Sequence, residues 1–291
     1  MDREISGGGG AVSVIIPTHK RSNLLAEAIG SVIAQTQPPA EIIVVDDADD
    51  AATKELVSDK AQLSPVPLLY LANRNTPGAC GSRNLGANQA VSEGIAFLDD
   101  DDVWRPQFLQ ELTERLLDGS FDFVMSGLYR HEEGCEPQLR ITPPGLTSSD
   151  IVADPRSMTG TNVVYRRKAF LSVGGFDRDV PVFNDWDLFI RLVDAGLKYD
   201  VVPLGLADWR WHSGDRIATF SLKRARGLRL FLQKYGARMK LATYRDFETT
   251  AVGIERRHAR GFKRFVKSGE LFLAHGLGRT IERALRKSST R

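Results

Sequence analysis

The chain has 291 residues, 42% hydrophobic and 26% charged. Folding at this length buries about 75% of the unfolded chain's surface, so the core needs no disulfide or metal staple. This composition excludes a disordered chain, a collagen and a disulfide-rich scaffold. The net charge of +2 conceals an asymmetry: residues 223–291 hold 19 Lys+Arg against 5 Asp+Glu, and the remainder 20 against 32. An acidic body with a basic tail bears on partners. Cys80 and Cys135 sit in no CxxC or Cys/His cluster, which argues against structural zinc and fits a reducing compartment. No run of about 18 apolar residues predicts a membrane-spanning helix. Residues 1–10, glycine-rich and without the apolar stretch of a signal peptide, read as a flexible leader.

In chain order, Val12–Ile16 is an apolar run stopped by Pro17 and predicts a buried strand. Ser22 is placed to cap a helix whose apolar pairs recur every four residues, Leu24/Leu25, Ala28/Ile29 and Val32/Ile33. Glu41–Val45 predicts a second strand running into Asp46-Asp47, Thr53–Val57 a short helix, and Leu68–Leu71 a third strand. A loop containing Gly78 and Gly81 leads to a helix over Arg83–Val91, and Ile95–Leu98 is a fourth strand ending in four aspartates. Pro106 suits the first turn of the next helix. Strands are expected over Phe121–Tyr129 and Asn162–Arg166, a long loop over 131–157, a helix near Trp186–Ala195 stopped by Gly196, and helices through 223–291.

Strands alternating with helices predict a parallel, layered α/β sheet, and such sheets bind ligands beyond the carboxyl ends of their strands. Those ends carry Thr18, Asp46, Asp47 and Asp99–Asp102. Adjacent carboxylates repel, and a divalent ion with hard oxygen ligands, Mg²⁺ or Mn²⁺, relieves them; a solvated acidic turn is the competing reading. Asp46-Asp47 can accept from a nucleobase N–H or form a turn, and Arg83 near a helix start suits a phosphate or solvent. Asp185 at a helix start suits a general base or a plain helix-end carboxylate, and His212 reads as a ligand or a structural histidine.

Val14-Ile15-Ile16-Pro17-Thr18-His19-Lys20-Arg21, Ile43-Val44-Val45-Asp46-Asp47, Arg83-Asn84-Leu85-Gly86, Phe97-Leu98-Asp99-Asp100-Asp101-Asp102, Gly174-Gly175-Phe176-Asp177 and Asp185 follow in that order. The set resembles the GT-A fold glycosyltransferases of family 2 over about residues 12–216. The resemblance implies a Rossmann-like, mostly parallel sheet flanked by helices, and a metal-dependent inverting transfer from a nucleotide-diphosphate sugar to a hydroxyl. Pro17, Thr18 and Arg21 match the loop that holds the nucleotide, Asp46 and Asp47 the pair that reads the base, and Arg83 the arginine near the nucleotide. Asp100 and Asp101 match the DxD-type pair, the first facing the ribose and the second the metal; Asp99 joins the nucleotide side, and Asp102 is an alternative metal register. His212 matches a late histidine that reaches the metal or diphosphate, and Asp185 the catalytic base. Asn184 departs from the glutamate usual before that base.

Three segments are thus expected: a leader over 1–10, a catalytic domain over 11–222 and a basic helical region over 223–291. That region reads as helices shaping the acceptor site, a peripheral anchor on an anionic membrane, or a solvated face. The acidic body argues against nucleic acid. UDP- or dTDP-sugars are the favoured donors, a glycan or lipid-linked glycan of bacterial surface polysaccharide the acceptor, and the cytoplasm or inner membrane face the location. The alternatives are a sugar-phosphate nucleotidyltransferase, weakened by the absence of a Gly-rich loop after the first strand, and a non-catalytic nucleotide-sugar binding module.

Overall fold

A computed structural model describes residues 11–153, 158–210, 221–271 and 273. They form two compact units, one from residues 11–151 and 158–210, the other from 152–153, 221–271 and 273.

The first unit opens with β1 (Val12–Thr18), α1 (Ser22–Ile33), β2 (Glu41–Asp46), α2 (Ala51–Leu63), β3 (Leu68–Ala72), α3 (Ala79–Gln89) and β4 (Gly94–Phe97). Every residue of β1, β2 and β4 is buried, the mark of parallel strands covered on both faces. Helix α1 turns Leu25, Ala28, Ile29 and Val32 inward, as its periodicity requires. Its cap departs from expectation: Ser22 is the first helical residue, and the capping position falls on Arg21, whose carbonyl accepts from Leu25 N at 3.0 Å. Helix α2 runs well beyond the expected short segment because Asp50 caps it, accepting from Thr53 N at 3.0 Å. Helix α3 begins right after Gly78, at φ 105°, so Gly81 and Arg83 lie inside the helix. A Cβ on Gly86 would stand 2.4 Å from Ile15 Cγ2, so the glycine lets α3 press onto β1.

The unit continues through β5 (Val103–Trp104), α4 (Phe108–Leu117), β6 (Phe123–His131), β7 (Gln138–Arg140), α5 (Ser148–Ala153), β8 (Val163–Arg166), α6 (Arg167–Ser172), α7 (Asn184–Asp194) and β9 (Tyr199–Arg210). The expected loop over 131–157 thus holds a short strand and a short helix. The sheet order is β3-β2-β1-β4-β8-β6-β9-β5, with β7 on β6. Strands β1 to β4, β6 and β9 point one way, and β8 and β5 run against their neighbours. Phe97, Tyr165, Phe170 and Phe176 pack edge-on or tilted at 5.2–6.0 Å below the carboxyl edge of β4. The fold is therefore the mixed, mostly parallel sheet flanked by helices that the motifs imply.

The second unit packs α8 (Leu222–Tyr235) on α9 (Leu241–His258). Leu228, Phe231, Leu232, Ala251, Val252 and Ile254 are buried, and Arg229 pairs with Glu255 at 3.2 Å. A further helix covers residues 261–271. Among the described residues no helix is long and apolar enough to cross a membrane.

Candidate active site

Thr18, Asp46 and the aspartates after β4 meet at one edge of the sheet, because the register sets Thr18 beside Asp46 and Ile15 beside Phe97. Thr18 Oγ1 donates to Asp100 Oδ2 at 2.7 Å, and Arg21 Nη1 reaches Asp100 Oδ1 and Asp101 Oδ2 at 3.2 Å each. Burial pushes the Asp100 carboxyl up to about 6, against the pull of the Thr18 hydroxyl and Arg21. Pro17 lies within β1 opposite Val45.

The Asp46-Asp47 pair divides by burial. Asp46 is fully buried and accepts from Ala48 N at 2.9 Å, Asp50 N at 2.6 Å and Tyr70 Oη at 2.9 Å, which fixes the turn after β2. Asp47 Oδ1 accepts from Gly78 N at 2.6 Å and Asn73 Nδ2 at 3.1 Å, while its Oδ2 faces the exposed His19 at 3.7 Å. Asn73 also donates to Thr76 O at 2.6 Å and so ties the loop before α3 to the site.

Asp99, Asp101 and Asp102 each offer an oxygen within 4.8 Å of the others. Asp99, expected on the nucleotide side, joins this trio, and Asp100 turns away to Thr18. Asp102 is fully buried, accepting from Thr161 Oγ1 at 2.7 Å and Arg210 N at 3.0 Å. Burial and the charges of Asp99 and Asp101 hold its carboxyl well above the usual range. Three converging carboxylates, two of them buried, form a hard-oxygen donor set suited to a divalent cation. His212 lies outside the described residues.

Arg83 is not at a helix start but in the second turn of α3, buried, with Nη2 donating to Asp99 Oδ1. Its guanidinium stands over the Phe176 ring at 5.0 Å. The adjoining motif residues explain this placement. Asn84 accepts from Phe176 N at 2.9 Å and donates to Phe176 O at 2.8 Å, clamping the Gly174-Gly175-Phe176 turn. Arg191 bonds Val173 O and Gly175 O at 2.6 Å each and Asp187 at 2.8 Å, which fastens that turn to α7.

Helix α7 starts at Asn184, with Asp185 in its first turn, where the sequence places it. The residue before it, Phe183, takes a left-handed φ of 62° and stacks on Trp186 at 4.6 Å. A bulky side chain in that region is strained, and such strain gathers at functional turns. Asp187 is committed to Arg191, but Asp185 Oδ1 is buried with no hydrogen-bond partner among the described residues. A Cβ on Gly160 would stand 3.3 Å from that oxygen and 3.5 Å from Arg83 Nε, so the glycine keeps the carboxylate and the guanidinium side by side. Burial pushes the Asp185 carboxyl up to about 6, and Arg83 opposes the rise. Arg83 Nε and Nη1 and Tyr165 Oη are likewise buried without partners among the described residues, and Tyr165 feels the charges of both Asp185 and Arg83. Unsatisfied polar atoms gathered in one place mark a site built to receive a ligand.

Sequence reasoning did not single out Gly160, Thr161, Asn73 or Arg210. Thr161 is tied to Asp99 N, Asp102 and the Trp104 indole, and Arg210 Nε donates to Asp101 O at 2.7 Å. No local signal marks Thr161 or Arg210, since their partners lie about 60 or more positions away in the chain.

A sheet whose carboxyl edge gathers an aspartate trio, with a separate buried aspartate beside an arginine, defines a metal-assisted nucleotide-binding transferase of the α/β class. The chain belongs to glycosyl transferase family 2, whose family model matches residues 13–174, and it is a glycosyltransferase. It is 26% identical over 232 residues to the uncharacterized glycosyltransferase YwdF of Bacillus subtilis (strain 168), covering 77% of this chain and 84% of the relative. It is 28% identical over 188 residues to the putative colanic acid biosynthesis glycosyl transferase WcaA of Escherichia coli (strain K12), covering 62% and 66%. Against an uncharacterized glycosyltransferase of Nostoc it is 36% identical over 105 residues, and spans only 32% of that relative. Two solved structures share the fold. S. aureus TarS 1-349 in complex with UDP-GlcNAc has a TM-score of 0.61 at 18% identity, over 85% of this chain and 72% of that one. The Pyrobaculum calidifontis mannosyltransferase PcManGT, in complex with GDP-Man and Mn²⁺, has a TM-score of 0.61 at 17% identity, over 93% and 82%.

Proposed function

We propose that the protein transfers a sugar, with inversion, from a nucleoside-diphosphate donor to a hydroxyl of a glycan or lipid-linked glycan. The observation that carries this reading is the buried Asp185–Arg83 pair held beside the Asp99–Asp102 run. Asp185 takes the proton of the acceptor hydroxyl, that oxygen attacks the anomeric carbon from the face opposite the leaving group, and the nucleoside diphosphate departs. Thr18 and Arg21 position Asp100 toward the ribose and hold the loop against the donor. Asp47, whose Oδ2 faces the exposed His19, accepts the N3–H of a uridine or thymidine base. A divalent ion, Mn²⁺ or Mg²⁺, held by Asp99, Asp101 and Asp102 would supply Lewis-acid stabilisation of the leaving diphosphate. His212 is proposed as a further group for that ion or the diphosphate.

The acceptor belongs, in this reading, to bacterial surface polysaccharide made at the cytoplasmic face of the membrane, which the basic second unit contacts peripherally. Relatives named for colanic acid and teichuronic acid biosynthesis support it. The test is a thermal-melt series with UDP, dTDP and GDP, each with and without Mn²⁺, followed by turnover of the matching donor sugars. Metal-dependent stabilisation by UDP or dTDP is expected, since a ligand of the native state raises the midpoint. A protein that no nucleotide stabilises overturns the assignment.

A further inference from the structure

The helix over 261–271 presents an apolar face to solvent. Phe262 is 79% exposed, Phe265 75%, Val266 42% and Leu273 79%, and at 3.6 residues per turn they share one stripe with Gly269. The opposite side is fixed: Lys267 bonds Glu255 of α9 at 2.8 Å and Glu270 at 2.7 Å, and Lys267, Glu270 and Leu271 are half-buried. That anchor sets the helix rotation and keeps the two phenylalanines outward. Lys263 flanks the stripe, and Arg260 and Arg264 are exposed elsewhere on the same segment, within a region carrying 19 basic residues against 5 acidic ones.

We propose that this face is a docking surface for an anionic lipid bilayer, with Phe262 and Phe265 seated at the boundary between headgroups and acyl chains. Two phenylalanines left in water gain by leaving it, and Lys263 beside them, with the basic excess of the whole segment, finds its counter-charge in anionic headgroups. A second copy of the same face is a poorer occupant, because pairing would bring Lys263 and the basic excess of the segment against their own duplicates. The surface lies wholly within the second unit; it rests on the peripheral membrane contact proposed above, while the transfer chemistry is tested separately by the nucleotide series.

The experiment is co-sedimentation of the full chain, without donor, with vesicles of phosphatidylcholine plus phosphatidylglycerol and with vesicles of phosphatidylcholine alone. Wild type is expected to bind the anionic vesicles, less at high salt. The double variant Phe262→Ser/Phe265→Ser and the double variant Lys263→Gln/Arg264→Gln are each expected to bind about tenfold more weakly or less. These side chains are exposed, so the thermal midpoint and the nucleotide-dependent shift should be unchanged. Phe262→Trp provides a second readout: its fluorescence should be quenched by brominated acyl chains. No wild-type binding, equal binding by the phenylalanine variant, or absent quenching overturns the proposal. Conversion of a lipid-free dimer to monomer by the phenylalanine variant, read by light scattering, also overturns it and assigns the face to self-association.

Discussion

Asp185 is held between two opposing forces. Burial lifts its carboxyl to about 6, and the Arg83 guanidinium pulls it back toward the charged form. The balance leaves a carboxylate that is ionised at neutral pH yet basic enough to take a proton, which is what a general base requires. Asp185→Asn keeps the shape and removes the proposed base, so kcat should fall about 10²–10⁴-fold. Its thermal midpoint should change little, because asparagine keeps an oxygen for the Gly160 N–H and Asp185 Oδ1 has no hydrogen-bond partner among the described residues. Steady-state kinetics beside a melting curve checks both halves. The same balance fixes a pH profile. The base form is populated above about 6, so kcat/KM should be flat near neutrality and fall as pH drops through that value. Arg83 favours the charged form, so Arg83→Gln should move the acid limb to higher pH. A limb that stays in place would remove Arg83 from control of the base.

At the scale of elements, the Asp185–Arg83 pair depends on the Gly174–Phe176 turn that α3 clamps. Asn84 on α3 satisfies both backbone groups of the buried Phe176, and the Phe176 ring supports Arg83. Asn84→Ala leaves a buried N–H and C=O unpaired, at a cost of about 2–3 kcal/mol. Urea denaturation should show a lower midpoint at unchanged slope, and kcat should fall with it as Arg83 loses its floor. How far such arrangements were legible in the sequence follows from where their causes lie. Strands β1, β2 and β4 were plain, because a strand buried on both faces is a local apolar run. The carboxyl-edge aspartates were plain for the same reason, being whatever follows those runs. The division of labour within Asp99–Asp102 was not, since it is set by Thr18, Arg83 and Thr161, which arrive from other elements. Gly160 gave no signal because its smallness answers to Asp185 and Arg83, not to a turn of its own. The strand β7 was read as loop because it is three exposed residues pairing with the end of β6.

For the whole molecule, the aspartate trio is set inside an already acidic body. Residues 1–222 carry 32 Asp+Glu against 20 Lys+Arg, and three of those carboxylates are held within 4.8 Å of one another. Arg83 and Arg21 each engage one of the trio, which leaves repulsion for a cation to relieve. Binding to the native state alone stabilises by about 2.7 kcal/mol at a hundredfold excess over Kd. In a unit of roughly 200 residues that corresponds to about 5–11 °C in the thermal midpoint. Mn²⁺ without nucleotide should therefore raise the midpoint by about that amount, and a chelator should reverse it. Asp102→Asn is the sharpest control. Asparagine keeps the oxygen that accepts from Arg210 N at 3.0 Å, sets an amide that can donate to Thr161 Oγ1 in place of the oxygen that accepted from it, and removes one carboxylate from the trio. The metal-free variant should melt no lower than wild type, while its Mn²⁺ shift should drop to about half or less. A variant that keeps the full shift would place the cation somewhere other than this cluster, and with it the leaving-group chemistry assigned to the edge of β4.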